Sequence, residues 1–137
     1  MNATPDPVRL RLGAVWIFVM LNYLYCDVLG LMDAHLLRQY LAGEVRGIEV
    51  SQGFLLAAAV LMEIPMAAIP AALLLPLRAG RAVQLAAGAT MTVVQAATLA
   101  TGATTGYYLF FSAVEIGGTA AVVVIAWRWR RWPPSRA

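Results

Sequence analysis

Four long apolar stretches, each about as long as a bilayer's hydrocarbon core requires of a helix, leave this chain few folds to choose from. They run over about residues 13–32, 52–77, 82–103 and 106–127. Helices of about 20 mainly apolar residues cross a membrane while satisfying their own backbone polar groups. A soluble alternative lacks polar surface: 61% of the 137 residues are hydrophobic and only 12% charged, with mean hydropathy +0.74. Soluble domains carry about 25% charged residues. The expected fold is therefore all-α, a membrane-embedded four-helix bundle forming one domain over residues 1–137.

Charge placement orients this bundle. The net charge is +3, and all ten basic residues are arginine. Arg9 and Arg11 precede the first stretch, Arg78 and Arg81 lie between the second and third, and Arg128, Arg130, Arg131 and Arg136 follow the fourth. Only Arg38 and Arg46 fall on the other side. Eight against two is a strong positive-inside bias, so both termini are expected in the cytoplasm. Trp127, Trp129 and Trp132 are expected at the inner interface, with Trp16 near the start of the first helix. Arginine without lysine, together with abundant alanine, suggests a GC-rich bacterial genome and hence the bacterial inner membrane. Basic residues at the ends of apolar runs point to lipid as the partner, not to nucleic acid.

The connections differ in kind. Residues 1–8, with Pro5 and Pro7, read as a disordered lead. Residues 33–51 are expected outside the membrane. There Asp33 caps a short interfacial helix over AHLLRQYLA, ended by Gly43, and Ser51 caps the second long helix. The run LRAGR reads as a tight turn around Gly80, and TGATTG as an uncharged turn before the fourth helix.

Each long helix carries a polar residue near its middle: Asn22, Glu63, Gln95 and Glu115. A charge at the bilayer centre costs about 2.5–3.5 kcal/mol even on insertion scales, so such groups are expected to face the bundle interior. Spacings of three and four support this in the third helix (Gln84, Gly88, Met91, Gln95, Thr98, Gly102) and in the fourth (Tyr108, Ser112, Glu115, Thr119, Val122, Ala126). The same spacing in the second helix selects Gln52, Leu56, Ala59, Glu63, Met66 and Pro70. Asp27 lies about 7.5 Å outward of Asn22 along the first helix and is expected toward the outer mouth. Two readings stay open. Protonated Glu63 or Glu115 could bond Gln95 or Asn22 merely to hold the helices in register. Alternatively, Glu115, Glu63, Gln95, Asn22 and Asp27 form a site for a proton or a ligand. Pro65 and Pro70 can bend the second helix beside Glu63.

Other chemistry finds no support in the sequence. Cys26, the only cysteine, has no CxxC partner, and His35, with Asp33, Glu44 and Glu49, shows no metal-ligand spacing. No P-loop, GxGxxG or nucleophile triad is present, so no catalytic residue, cofactor or metal is expected. The segments YLYCDVLGL, LAGEVRGIEVSQGFLL, MEIP, YYLFFSAVEI and IAWRWR resemble a family of small bacterial membrane proteins catalogued as a domain of unknown function. The resemblance covers almost the whole chain. It implies a four-helix membrane fold and directs attention to Asp27 and Glu115. It lowers the weight of Glu63, where some members carry a small apolar residue. The expected function is binding of a small or lipid-like molecule, or of protons, in a polar intramembrane pocket. The alternative is an accessory subunit whose polar groups only join helices. Four short helices cannot enclose a large channel, so any conduction would need an oligomer; small residues outside the inner seams, such as Ala68, Ala72 and Gly117, offer a close-packing surface, and a homo-oligomer is expected.

Overall fold

The computed structural model describes residues 6–100 and 105–129. Five helices and one small hairpin follow in the order α1 (Pro7–Met32), α2 (Ala34–Leu41), β1 (Glu44–Val45), β2 (Ile48–Glu49), α3 (Gln52–Leu74), α4 (Leu77–Ala100) and α5 (Gly106–Arg128). The four long helices have 23 to 26 residues and mean hydropathies of 1.3 to 2.0, long and apolar enough to cross a membrane. At about 1.5 Å per residue, 23 residues give about 35 Å, enough for a hydrocarbon core of about 30 Å. Phe18, Leu24, Val60, Leu74, Val93 and Phe110 are all more than half exposed on these helices, a surface suited to lipid and not to water. The chain is thus a multi-pass membrane protein.

Around the bundle α1 packs on α3, α3 on α4, α4 on α5, and α5 back on α1. One end carries the start of α1, the end of α5 and the α3–α4 link, and the other carries α2 and the hairpin. They are called the terminal end and the loop end below.

Glycine sets two of the contacts. A Cβ on Gly118 of α5 would collide with Val19 of α1, and one on Gly88 of α4 would lie 2.8 Å from Val123 and 3.2 Å from the Thr119 carbonyl. Both bring backbones together where dispersion and interhelical bonds replace a hydrophobic driving force.

The terminal end is locked by polar and aromatic groups. Helix α1 starts at Pro7, capped by Asp6, whose carboxylate accepts from Val8 N at 2.9 Å. Proline suits this first position because its missing N–H would be unpaired there anyway. The expected disordered lead therefore does not reach residue 8, and its residues 1–5 lie outside the described ones. Pro76 cannot donate to the Ala72 carbonyl four residues back. Arg9 Nη1 supplies a donor instead, at 3.0 Å, and reaches the Leu73 and Leu75 carbonyls at 3.1 and 2.8 Å. The same guanidinium stacks 5.3 Å from the Trp129 ring, whose Nε1 donates to Asp6 at 2.9 Å. Trp129 and Trp16 are thus buried parts of the core, whereas Trp127 is exposed. Trp132 lies outside the described residues.

Other expectations are corrected in the same way. The α3–α4 link is Leu75-Pro76, and LRAGR forms the first turn of α4, because Pro76 stops α3 while its fixed φ suits the start of a helix. The first connection contains the short helix, capped by Asp33 through His35 N and Leu36 N. It also contains an unforeseen antiparallel hairpin pairing Glu44 with Glu49 and Val45 with Ile48. Arg46 and Gly47 turn it with φ of 52° and 78°, the left-handed pair of a two-residue hairpin turn. In α3 the predicted inner seam faces outward: Gln52, Leu56, Ala59, Glu63, Met66 and Pro70 are exposed, while Pro65, Ala68 and Ala72 are buried. The helix is apolar on every side, so its one mid-helix charge was a poor guide to its inner face. The small, proline-bearing face is the one that lets α1 and α4 approach.

Candidate functional site

The seams of α4 and α5 meet as their spacing predicts. Gln84, Gly88, Met91 and Gln95 are buried on α4, and Ser112, Glu115, Thr119, Val122 and Ala126 on α5. Gly102 lies outside the described residues. Helix α1 faces them with Leu12, Trp16, Val19, Tyr23, Cys26 and Gly30, all buried. These alternate at spacings of four and three, the period that keeps one stripe inward in a left-handed bundle.

Most polar groups on these seams are paired across or along helices. Trp16 Nε1 donates to Gln84 Oε1 at 2.6 Å, and Gln84 Nε2 donates to the Ala68 carbonyl at 2.7 Å, joining α1, α4 and α3. Gln95 Nε2 donates to Ser112 Oγ at 2.8 Å. Thr92 Oγ1 lies 2.8 Å from Thr119 Oγ1, which in turn donates to the Glu115 carbonyl at 3.0 Å. Each bond satisfies a group that lipid could not.

Toward the loop end the helices part around a cavity of about 180 Å³. Helix α1 lines it with Tyr23, Cys26 and Asp27, α3 with Leu61 and Met62, α4 with Met91, Val94, Gln95 and Thr98, and α5 with Tyr108 and Glu115. Glu115 is only 1% exposed. Among the described residues, Glu115 Oε1 and the Tyr23 hydroxyl are the buried side-chain atoms without a hydrogen-bond partner, and both residues line this cavity. Buried polar atoms are nearly always paired, so two orphans around one cavity mark a place built for something other than packing.

The mouth is polar too. Asp27 is exposed there. Arg46, held in the hairpin turn with its N–H donating to Gln39 Oε1 at 3.0 Å, places its guanidinium 4.8 Å from the Tyr108 ring. The Tyr40 phenol on α2 is pushed above its ordinary value, first by burial and then by the Asp27 carboxylate, with Arg46 acting in the opposite sense. Tyr40, Asp27 and Arg46 thus share one electrostatic neighbourhood over the cavity.

Of the residues singled out from sequence, Glu115, Gln95 and Asp27 come together here. Asn22 and Glu63 do not line the cavity. The Asn22 amide donates to the Phe18 carbonyl one turn back, at 2.8 Å. Glu63 lies on the exposed face of α3. Gln95 bonds Ser112 instead of the expected Glu115. Tyr108 was placed on the inward seam but not among the site residues, and Tyr23 and Arg46 were missed. The heptad spacing of Trp16, Val19, Tyr23 and Cys26 would have revealed Tyr23, whereas Arg46 depends on a hairpin too short to read from sequence. No cluster of three or more His, Cys, Asp or Glu side chains that could hold a metal ion occurs among the described residues.

A family of unknown function, DUF6326, matches residues 6–133. The chain belongs to that family. The match takes in all five helices, the hairpin and every residue lining the cavity, so the DUF6326 unit and the bundle coincide. No curated protein and no solved structure matches the chain.

Proposed function

We propose that this protein binds a small molecule, or protons, at Glu115 in the cavity between the loop-end halves of its helices. The observation that carries this reading is the pair of unpartnered atoms, Glu115 Oε1 and the Tyr23 hydroxyl, around a cavity of about 180 Å³. Leaving a buried polar group unsatisfied costs about 1–3 kcal/mol, more when it is charged, and a ligand with hydrogen-bond donors recovers that cost. Asp27, exposed at the mouth, links Glu115 to the water phase.

The accessory reading draws support from Gln84, Gln95, Thr92 and Thr119, whose bonds close within the protein and serve as glue. It leaves Glu115 unexplained. In our reading the termini face the cytoplasm of a bacterial cell, as the arginines of the terminal end favour, and α2 lies along the opposite membrane surface. A second copy covers the face of α3 that carries Glu63, because a carboxyl facing lipid is costly. Crosslinking in native membranes that yields monomer alone would count against that assembly.

The test is infrared difference spectroscopy of the protein in liposomes, taken across an acid-to-alkaline pH series. A carboxyl band that titrates and disappears in Glu115→Gln, with the helical signal unchanged, supports exchange at Glu115. Identical carboxyl spectra for wild type and variant at every pH would overturn it.

A further inference from the structure

We infer that the ligand of this cavity is a small organic cation, an ammonium carried on a short apolar body. The inference rests on the proposed binding at Glu115 and adds the chemical class. Both ionisable carboxyls of the cavity, Glu115 and Asp27, are acidic, and no basic side chain is among its lining residues. Arg46 is the nearby cation, and it lies outside that lining, over the Tyr108 ring. As carboxylates, Glu115 and Asp27 in a medium of low dielectric attract cations and reject anions.

The remaining walls decide which cation. Leu61, Met62, Met91 and Val94 form an apolar wall without oxygen; the lining holds two carboxyls, and no cluster of three or more His, Cys, Asp or Glu side chains occurs among the described residues, a poor set for a hard divalent ion that takes six or more oxygen ligands. Methionine and leucine suit an alkyl chain, and the adaptable thioethers tolerate variation in its shape. Glu115 Oε1 and the Tyr23 hydroxyl oxygen both accept bonds from an N–H⁺ donor, and among the described residues these are the buried side-chain atoms left without partners. Size agrees as well. A cavity of about 180 Å³ has room for several waters or for a small organic molecule. A bare proton would leave most of that space unused.

Cys26, the chain's single cysteine, lines the cavity and reports on its occupancy. The experiment uses the full chain in liposomes and follows alkylation of Cys26 by N-ethylmaleimide, with n-butylammonium, 1-butanol or butyrate added at equal concentration. Butylammonium is expected to slow alkylation, and the neutral and anionic analogues to leave it unchanged. Glu115→Gln should raise the butylammonium concentration needed by about tenfold or more, since one charge-assisted hydrogen bond becomes a neutral one. Tyr23→Phe, which keeps the ring and the packing, should weaken protection less, and supplies the same test if Glu115→Gln fails to fold. Equal protection by butanol, or protection by butyrate, would overturn the cation class while leaving binding at Glu115 intact. Absence of protection by all three would also overturn it, and binding at Glu115 would then be judged by the infrared titration alone.

Discussion

Replacing Gln84 by leucine removes two bonds at once and measures how far buried polar contacts hold this bundle together. The side chain is fully buried, accepts from Trp16 at 2.6 Å and donates to the Ala68 carbonyl at 2.7 Å. Interhelical hydrogen bonds in membrane proteins average about 0.6 kcal/mol and reach about 1.7, so two are worth about 1.2–3.4 kcal/mol. Leucine is of similar size and leaves little void, but it orphans the Trp16 N–H, which favours the middle of that range. The expected cost is about 2 kcal/mol, or about 30-fold in the unfolding equilibrium. Reversible unfolding in mixed lipid–detergent micelles, followed by tryptophan fluorescence, measures it. Trp16→Phe breaks one of the same two bonds, so the double variant should be about 1 kcal/mol more stable than the sum of the single effects predicts. Additive effects, or a Gln84→Leu cost below about 0.5 kcal/mol, a typical surface value, would refute the three-helix relay.

Gly118→Leu should lower the thermal stability of the detergent-solubilised protein by separating α1 from α5, and Val19→Ala should restore part of the loss, because Val19 is what the new side chain meets. Tyr40 gives the pH prediction. Its folded pKa lies above the ordinary 10.0, so its contribution to stability is intact below that pH and is lost as the pH rises beyond it. Difference absorbance of wild type against Tyr40→Phe should show phenolate appearing later in the folded protein than in the unfolded one. For topology, a reporter fused after Ala137 should be active only in its cytoplasmic form, and cysteines introduced at residues 33–51 in a Cys26→Ser background should label from outside; a periplasmic reporter signal would reverse the orientation.

How much of this was legible in the sequence depended on contrast within each helix. In α4 and α5, polar and small residues such as Gln84, Gly88, Gln95, Ser112, Glu115 and Thr119 recur among apolar ones and fix the inward face. Helix α3 offers no such contrast. It is apolar all round, and following Glu63 selected the outward face, whereas Pro65, Ala68 and Ala72 pack inward. Helix α1 held a clear heptad in Leu12, Trp16, Val19, Tyr23 and Cys26, but the polar Asn22 drew attention to the neighbouring position. The Arg46 turn was hidden because each of its strands has two residues, far below the length at which alternation can be read. The cavity itself is a tertiary feature. Sequence named Glu115, Gln95 and Asp27, but only the packing of the helices distinguishes Gln95, which is bonded to Ser112, from Glu115, which keeps an unpartnered oxygen.

The most direct measurement is a high-resolution structure of the protein extracted together with its native lipid. Non-protein density in the cavity, within hydrogen-bonding distance of Glu115 and the Tyr23 hydroxyl, is the predicted result. A closed, dry seam, with Glu115 bonded to another side chain and no space between Met62, Met91 and Tyr108, would contradict a binding site and leave a bundle held together by its own polar groups.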